Sequence, residues 1–168
     1  MVDAIELLKK QKEVNNSLLY ESTIIETTVT TPTNDNKLKK RIINTLGSID
    51  IYEDKQSRDC IPDYKFPEIR WNNVNHEDPN SMTDEEIKSK FQLLTNQRNQ
   101  QKREVCRHCY QTGKRGIAFS IPYFYKGNEE WDCEIPKRGK DAEAGCEGCA
   151  WYDFAEWRKN LLEFLQNK

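Results

Sequence analysis

A chain of 168 residues with 36% hydrophobic residues, 32% charged residues and a mean hydropathy of -0.94 has room for one ordinary domain, or for a small domain with a long appendage. No apolar run approaches the ~18 residues of a membrane-spanning helix, and six cysteines are too few for a disulfide scaffold, usually a shorter secreted chain. The net charge of -2 gives no whole-chain argument for a polyanionic partner, but it is unevenly spread: residues 1–97 carry 13 basic and 17 acidic side chains, residues 98–168 carry 13 and 11.

Asp3 with Glu6 has capping-box form, and Ile5, Leu7, Leu8 and Val14 supply an apolar stripe, which predicts a helix over about 3–15. No small-residue cleavage site follows it, so a cytoplasmic, reducing location is expected. Thr23–Thr33 is threonine-rich and reads as an extended arm or an edge strand. Asn36–Leu46 reads as a short basic helix stopped by Gly47. From Ser48 to Met82 the periodicity fails. Pro62, Pro67 and Pro79 interrupt scattered anchors at Ile51, Tyr52, Tyr64, Phe66, Ile69 and Trp71, the pattern of an extended segment lying on another surface. Residues 1–82 are therefore expected to be N-terminal helices and an arm, ordered by a protein partner that contacts 16–82, and residues 83–168 a helix joined to a metal module.

Thr83 and Glu86 form a second capping box, with Ile87, Phe91 and Leu94 following at i, i+4 and i+7. One helix is predicted to run on through Thr95–Glu104, which holds no apolar residue. That half reads either as a solvated helix end or as a helix lying along phosphates.

The cysteines carry the sharpest signal. Cys106-Arg107-His108-Cys109 and Cys146-Glu147-Gly148-Cys149 are two CxxC pairs separated by residues 110–145. Each pair can point two thiolates at one tetrahedral ion, and two pairs complete a four-sulfur shell, so one structural zinc ion is expected. No βαβ pattern surrounds either pair, which argues against a redox motif. Cys60, Cys133 and His108 are expected outside the shell, because the pairs already fill it. Between the pairs, Ile117–Tyr125 reads as a strand, Gly127-Asn128 as a turn and Trp131–Ile135 as a returning strand. Trp151, Phe154, Trp157, Leu161 and Leu165 then recur at helical spacing, with the second pair opening that helix.

Knuckle, hairpin and a helix bearing the second ligand pair, over Val105–Gln166, resemble the treble-clef zinc finger in architecture. The resemblance implies an α+β zinc-binding domain used for nucleic-acid or protein binding, and in a minority of cases as a nuclease. The nuclease variety would place a histidine on the hairpin, where residues 110–145 contain none; the chain's histidines are His76 and His108. His76-Glu77-Asp78, beside Pro79, reads as a solvated turn.

Positive charge gathers at Arg98, Lys102, Arg103, Arg107, Lys114 and Arg115, opposed only by Glu104, and again at Lys137, Arg138 and Lys140. These nine side chains are the predicted nucleic-acid contacts, with DNA favoured over RNA. Tyr123, Phe124 and Tyr125 read as stacking faces or as core. The expected function is that of a zinc-stabilised nucleic-acid-binding accessory protein in transcription, replication or DNA processing, without catalysis. The alternative is an assembly subunit whose zinc is purely structural, and beneath both stands a nuclease. Abundant Asn, Lys and Ile is a composition associated with AT-rich genomes such as those of phages or mobile elements.

Overall fold

The computed structural model describes residues 36–72 and 81–167. The expected helix over 3–15, the threonine-rich segment and the His76-Glu77-Asp78 turn lie outside the described residues.

Leu38 and Ile42, four residues apart, bury one side of helix α1 (Asn36–Thr45). Gly47, at φ +71°, turns the chain out of the helix. A two-residue hairpin follows, β1 (Ile49–Asp50) against β2 (Lys55–Gln56). The buried Asp50 carboxylate accepts from the amides of Tyr52 at 2.8 Å and Thr95 at 3.3 Å, pinning this hairpin to the middle of the chain. Strand β3 (Cys60–Tyr64) comes next, then a 3-10 turn (Glu68–Arg70).

Thr83 starts helix α2 (Asp84–Lys90) with both capping-box bonds present, the Thr83 hydroxyl accepting from the Glu86 amide at 3.2 Å and the Glu86 carboxylate from the Thr83 amide at 2.7 Å. Hydrogen bonding from the Thr83 amide first, and from the Thr83 side chain second, holds the Glu86 carboxyl below its ordinary range. A group so shifted stabilises the fold fully above its unfolded pKa and loses that contribution as the pH falls through its folded one. Thr83→Ala should therefore lower stability by about 1 kcal/mol at neutral pH, and thermal melts should show the difference shrinking once Glu86 is protonated.

The helix does not continue to Glu104 as the sequence predicts. It ends at Lys90, and Phe91–Thr95 is strand β4, antiparallel to β3 with Tyr64 opposite Phe91 and Cys60 opposite Thr95. The reason is burial on both faces. Side chains of a strand alternate, and β4 sends Phe91 and Leu93 into one core and Leu94 into another. The first core also holds Leu38, Ile42, Cys60, Met82 and Ile87; the second holds Ala118, Ala150, Trp151, Phe154 and Trp157. A single helical stripe cannot serve two cores. Thr95 then caps helix α3 (Asn96–Thr112), which Gly113 terminates at φ +77°.

Of the stretch 16–82 expected to contact a protein partner, the described residues pack on the chain's own β4 and on both cores. The Ile51 amide donates to the Leu93 carbonyl at 3.0 Å, Tyr52 stacks on Phe119, and the Arg158 guanidinium donates to the carbonyls of Ile51 and Tyr52.

Between the cysteine pairs the expected strands are absent from the described residues. The loop is closed at its base, where Lys114 bridges Glu130 and the Trp131 amide donates to the Gly113 carbonyl at 2.6 Å. Within Ile117–Tyr125 the chain makes a tight turn, with Phe119 and Ser120 at φ +53° and +59° and the Ile121 amide donating to the Ala118 carbonyl. Pro122, lacking a donor, helps keep it from extending. Nor does the second pair open a helix. Cys146 ends a 3-10 turn (Lys140–Gly145), and helix α4 (Phe154–Gln166) starts only after Asp153 caps it.

Candidate nucleic-acid interface and cysteine site

Helix α3 has no apolar stripe in its first half, so its inward face must be read from spacing. Cys106 and Cys109 are three residues apart; the same face continued towards the N-terminus reaches Lys102 and Asn99. Asn99, Lys102 and Cys109 are the buried residues of this helix. The inward face is thus polar above and sulfur-bearing below.

Its polar half closes on Asp63 of β3. The Lys102 ammonium, with its side chain only 3% exposed, lies 2.5 Å from the Asp63 carboxylate and also donates to the carbonyls of Tyr64 and Lys65. Asn99 and Gln92 each donate to the same carboxylate at 3.2 Å. Lys102, expected on phosphate, is an internal ion-pair partner. Next to it the Tyr64 hydroxyl is buried with no hydrogen-bond partner among the described residues, and its pKa is pushed up to about 12 by burial, with Glu68 adding to the shift.

The lower half faces the second cysteine pair. Cys106, Cys109, Cys146 and Cys149 line one cavity together with Val105, Trp131, Trp151 and Tyr152. Gly145 is required there, since a Cβ at this position would run into the Trp131 ring. Among the described residues no three His, Cys, Asp or Glu side chains are arranged so as to hold a metal ion, so the sulfurs share a cavity without forming a closed shell. Burial raises the thiols of Cys106, Cys146 and Cys149, to about 12 for Cys146. Each is opposed chiefly by a different cation: Cys106 by Lys102, Cys146 by Arg70 and Cys149 by Arg115.

Arg115 is a second departure from the predicted phosphate contacts. It is buried, and its guanidinium donates to the carbonyls of Lys126 at 2.9 Å, Asn128 at 3.0 Å, Cys146 at 3.4 Å and Glu147. Arg98 is partly covered, lying 4.0 Å over the Tyr52 ring and 3.3 Å from Glu53. The other six remain at the surface. Arg103 and Arg107, one turn apart, occupy the outer face of α3, Arg107 paired with Glu104 at 3.0 Å. Lys114 follows the helix end, and Lys137, Arg138 and Lys140 are exposed. Tyr110 joins the two basic segments: Lys137 donates to its carbonyl at 3.3 Å, and the Arg138 guanidinium lies 5.4 Å over its ring. Tyr123 is not a free stacking face, since its hydroxyl donates to the Asn160 carbonyl and its own carbonyl accepts from Trp157. Phe124 lies under Arg115, and Tyr125 packs on the second core.

Arg70 is the site residue the sequence reading missed. It is 1% exposed, donates to Cys109 Sγ at 3.2 Å and to the Lys137 carbonyl at 3.0 Å, and stacks 3.6 Å over Trp131. The only sequence signal was its place beside Trp71 in an irregular stretch far from either pair.

Residues 67–166, more than half of the chain, match the family described as ICEA Protein. The chain belongs to the ICEA family. The ICEA segment begins just before Arg70 and ends with α4, so it contains all four cysteines, Arg70 and Arg115, whereas Asp63 precedes it. The chain is also 38% identical over 77 residues to the type II restriction enzyme NlaIII of Neisseria lactamica, a match covering 44% of this chain and 30% of that enzyme. It thus spans under a third of the relative's length. No solved structure matches the chain. No helix among the described residues is long and apolar enough to cross a membrane.

Proposed function

We propose that this chain binds duplex DNA through the exposed cations around Tyr110, in a role related to restriction–modification or to mobile elements, with its cysteine cavity held together by one structural zinc ion. The observation that carries the binding reading is the meeting of two basic segments, distant in sequence, at the C-terminal end of α3. Arg103, Arg107, Lys114, Lys137, Arg138 and Lys140 supply charge to phosphates, and the negative end of the helix favours cations there. Membership of the ICEA family and the likeness to a restriction enzyme make DNA the fitting polyanion.

What supports zinc is donor type alone: four soft sulfurs line one apolar cavity, although no three of them are placed to hold an ion as they stand. Cys106, Cys109, Cys146 and Cys149 would hold the ion, which would contribute folding free energy and leave no open position for water.

Binding to a labelled duplex across a salt series tests the reading. Affinity should fall steeply with salt, and Arg103→Ala with Arg107→Ala should weaken it on every sequence and flatten the slope of log affinity against log salt by about one unit per lost phosphate contact. Salt-independent binding, or none, refutes it. The printed activity of the relative favours a second reading, DNA cleavage. Against it stand Asp63, whose carboxylate is committed to Lys102, Asn99 and Gln92, and His108, the one histidine among the described residues, which is exposed on α3. Incubating supercoiled plasmid with the protein and a magnesium salt separates the two readings.

A further inference from the structure

Helix α4 carries its core face further than the core reaches. Phe154 and Trp157 are buried and Leu161 is half-buried, but one turn further on, where the same stripe continues as Phe164 and Leu165, the side chains are 43% and 57% exposed. Leu162, beside the stripe, is 58% exposed. The tight turn that runs alongside this helix adds to the surface. The Phe119 and Trp157 rings are nearly parallel with centroids 6.1 Å apart, and Tyr123 lies 5.2 Å from Phe164. Ile117, Phe119 and Ile121 of that turn are each more than a third exposed. Six of the seven large apolar side chains exposed among the described residues thus gather along α4 and its neighbouring turn, with only Ile49 elsewhere. Apolar side chains scattered singly need no explanation, but a concentration of this kind marks a protein-binding surface.

This is not the basic flank. Arg98, over the Tyr52 ring that stacks on Phe119, and Tyr110, which gathers Lys137 and Arg138, are twelve positions apart on α3 and so point roughly 120° apart around it. Charge on α4 says what covers the apolar flank. Lys159 and Glu163, one turn apart, border Leu162. Lys159 is held only loosely within its own helix, 3.6 Å from Glu156 with its side chain 64% exposed. A twofold axis sets residue i of one copy against residue j of the other, and j against i. A surface with a cation and an anion one turn apart therefore matches its own image when the two helices run antiparallel.

We propose that this flank is a homodimer interface, in which α4 pairs antiparallel with α4 of a second copy. The axis passes beside Leu162. Lys159 of each copy then meets Glu163 of the other, and Leu162 and Leu165 pack between the two ion pairs. Phe164 and the turn at Ile117–Ile121 widen the apolar contact. None of the six exposed cations assigned to phosphate lies on α4 or on this turn, so the pairing is independent of DNA binding.

Sedimentation of the full chain without DNA, over a wide concentration range, tests it. Wild type should show a monomer–dimer equilibrium that stops at two copies, with a thermal midpoint that rises with concentration. Leu162→Glu, at a position too exposed to carry the fold, should weaken the dimer at least tenfold and remove that rise. Lys159→Glu and Glu163→Lys each bring like charges together twice and should each weaken it by about threefold to tenfold, while the double variant should recover wild-type affinity. A chain that is monomeric at every concentration overturns the proposal, and so does open-ended association or a dimer indifferent to Leu162→Glu. Single reversals that weaken the dimer without recovery in the double variant overturn the antiparallel register. All of these leave the DNA reading standing, because the duplex titration is a separate measurement.

Discussion

Lys102→Met is expected to destabilise the fold by about 3–5 kcal/mol, the loss typical when one partner of a buried ion pair is removed and the other charge is stranded. The stranded charge is Asp63, whose carboxylate would keep only Asn99 and Gln92 as donors. The carbonyls of Tyr64 and Lys65 would lose a donor at the same stroke. Urea unfolding followed by tryptophan fluorescence measures it. The double replacement Asp63→Leu with Lys102→Met should recover much of the loss, because two well-packed apolar groups need no compensation. A phosphate-contacting lysine would behave in the opposite way, leaving stability alone and weakening DNA binding. Lys102→Met with an unchanged unfolding midpoint would return this residue to the surface role that its sequence context suggests.

Cys146→Ser should have the larger effect. Zinc held by four cysteines contributes roughly 10–16 kcal/mol of apparent binding free energy in small zinc-finger peptides, comparable to the ~5–15 kcal/mol that holds an entire domain folded. If the proposed zinc ion is held there, removing one sulfur should release it and unfold the segment from Cys106 to Trp157, whose tryptophans pack around the cavity. Tryptophan emission would shift to the red, and a strong chelator would reproduce the effect on wild type. Cys133→Ser is the internal control: this thiol is exposed and lies outside the cavity lining, so the variant should melt with wild type. Equal melting of the Cys146 and Cys133 variants would mean that aromatic packing alone holds the cavity.

What could be read from the sequence follows the range over which the determining forces act. Thr83 with Glu86, Leu38 with Ile42 and Gly47 act within one or two turns, and the capping box and the helix over Asn36–Thr45 are found where local spacing places them. The CxxC pairs are local as well, and the four cysteines line one cavity, without three of them being placed to hold an ion. Phe91-Gln92-Leu93-Leu94 is different. Its apolar residues fit a helical stripe equally well, and only the presence of a core on each side, built from segments far along the chain, selects a strand. Lys102 and Arg115 differ from their expected surface positions for a related reason: a basic side chain reads as exposed until its distant partners, Asp63 and the turn at Cys146, are known. The inward face of α3 was nevertheless available. Extending the Cys106–Cys109 spacing by one and two turns reaches Lys102 and Asn99, and a helix that turns its cysteines inward turns those residues inward with them.

The β3–β4 pairing also bears on where this protein can be divided. The ICEA segment begins at Pro67, three residues beyond the end of β3. A fragment cut at that boundary keeps β4 but loses all five residues that face it, Cys60 to Tyr64. Its backbone would present a bare strand edge, with Phe91 and Leu93 stripped of Leu38 and Ile42, the kind of surface that recruits a second chain. The family boundary is thus a boundary of sequence kinship and not a folding boundary: the smallest self-sufficient piece of this molecule has to reach back at least to α1.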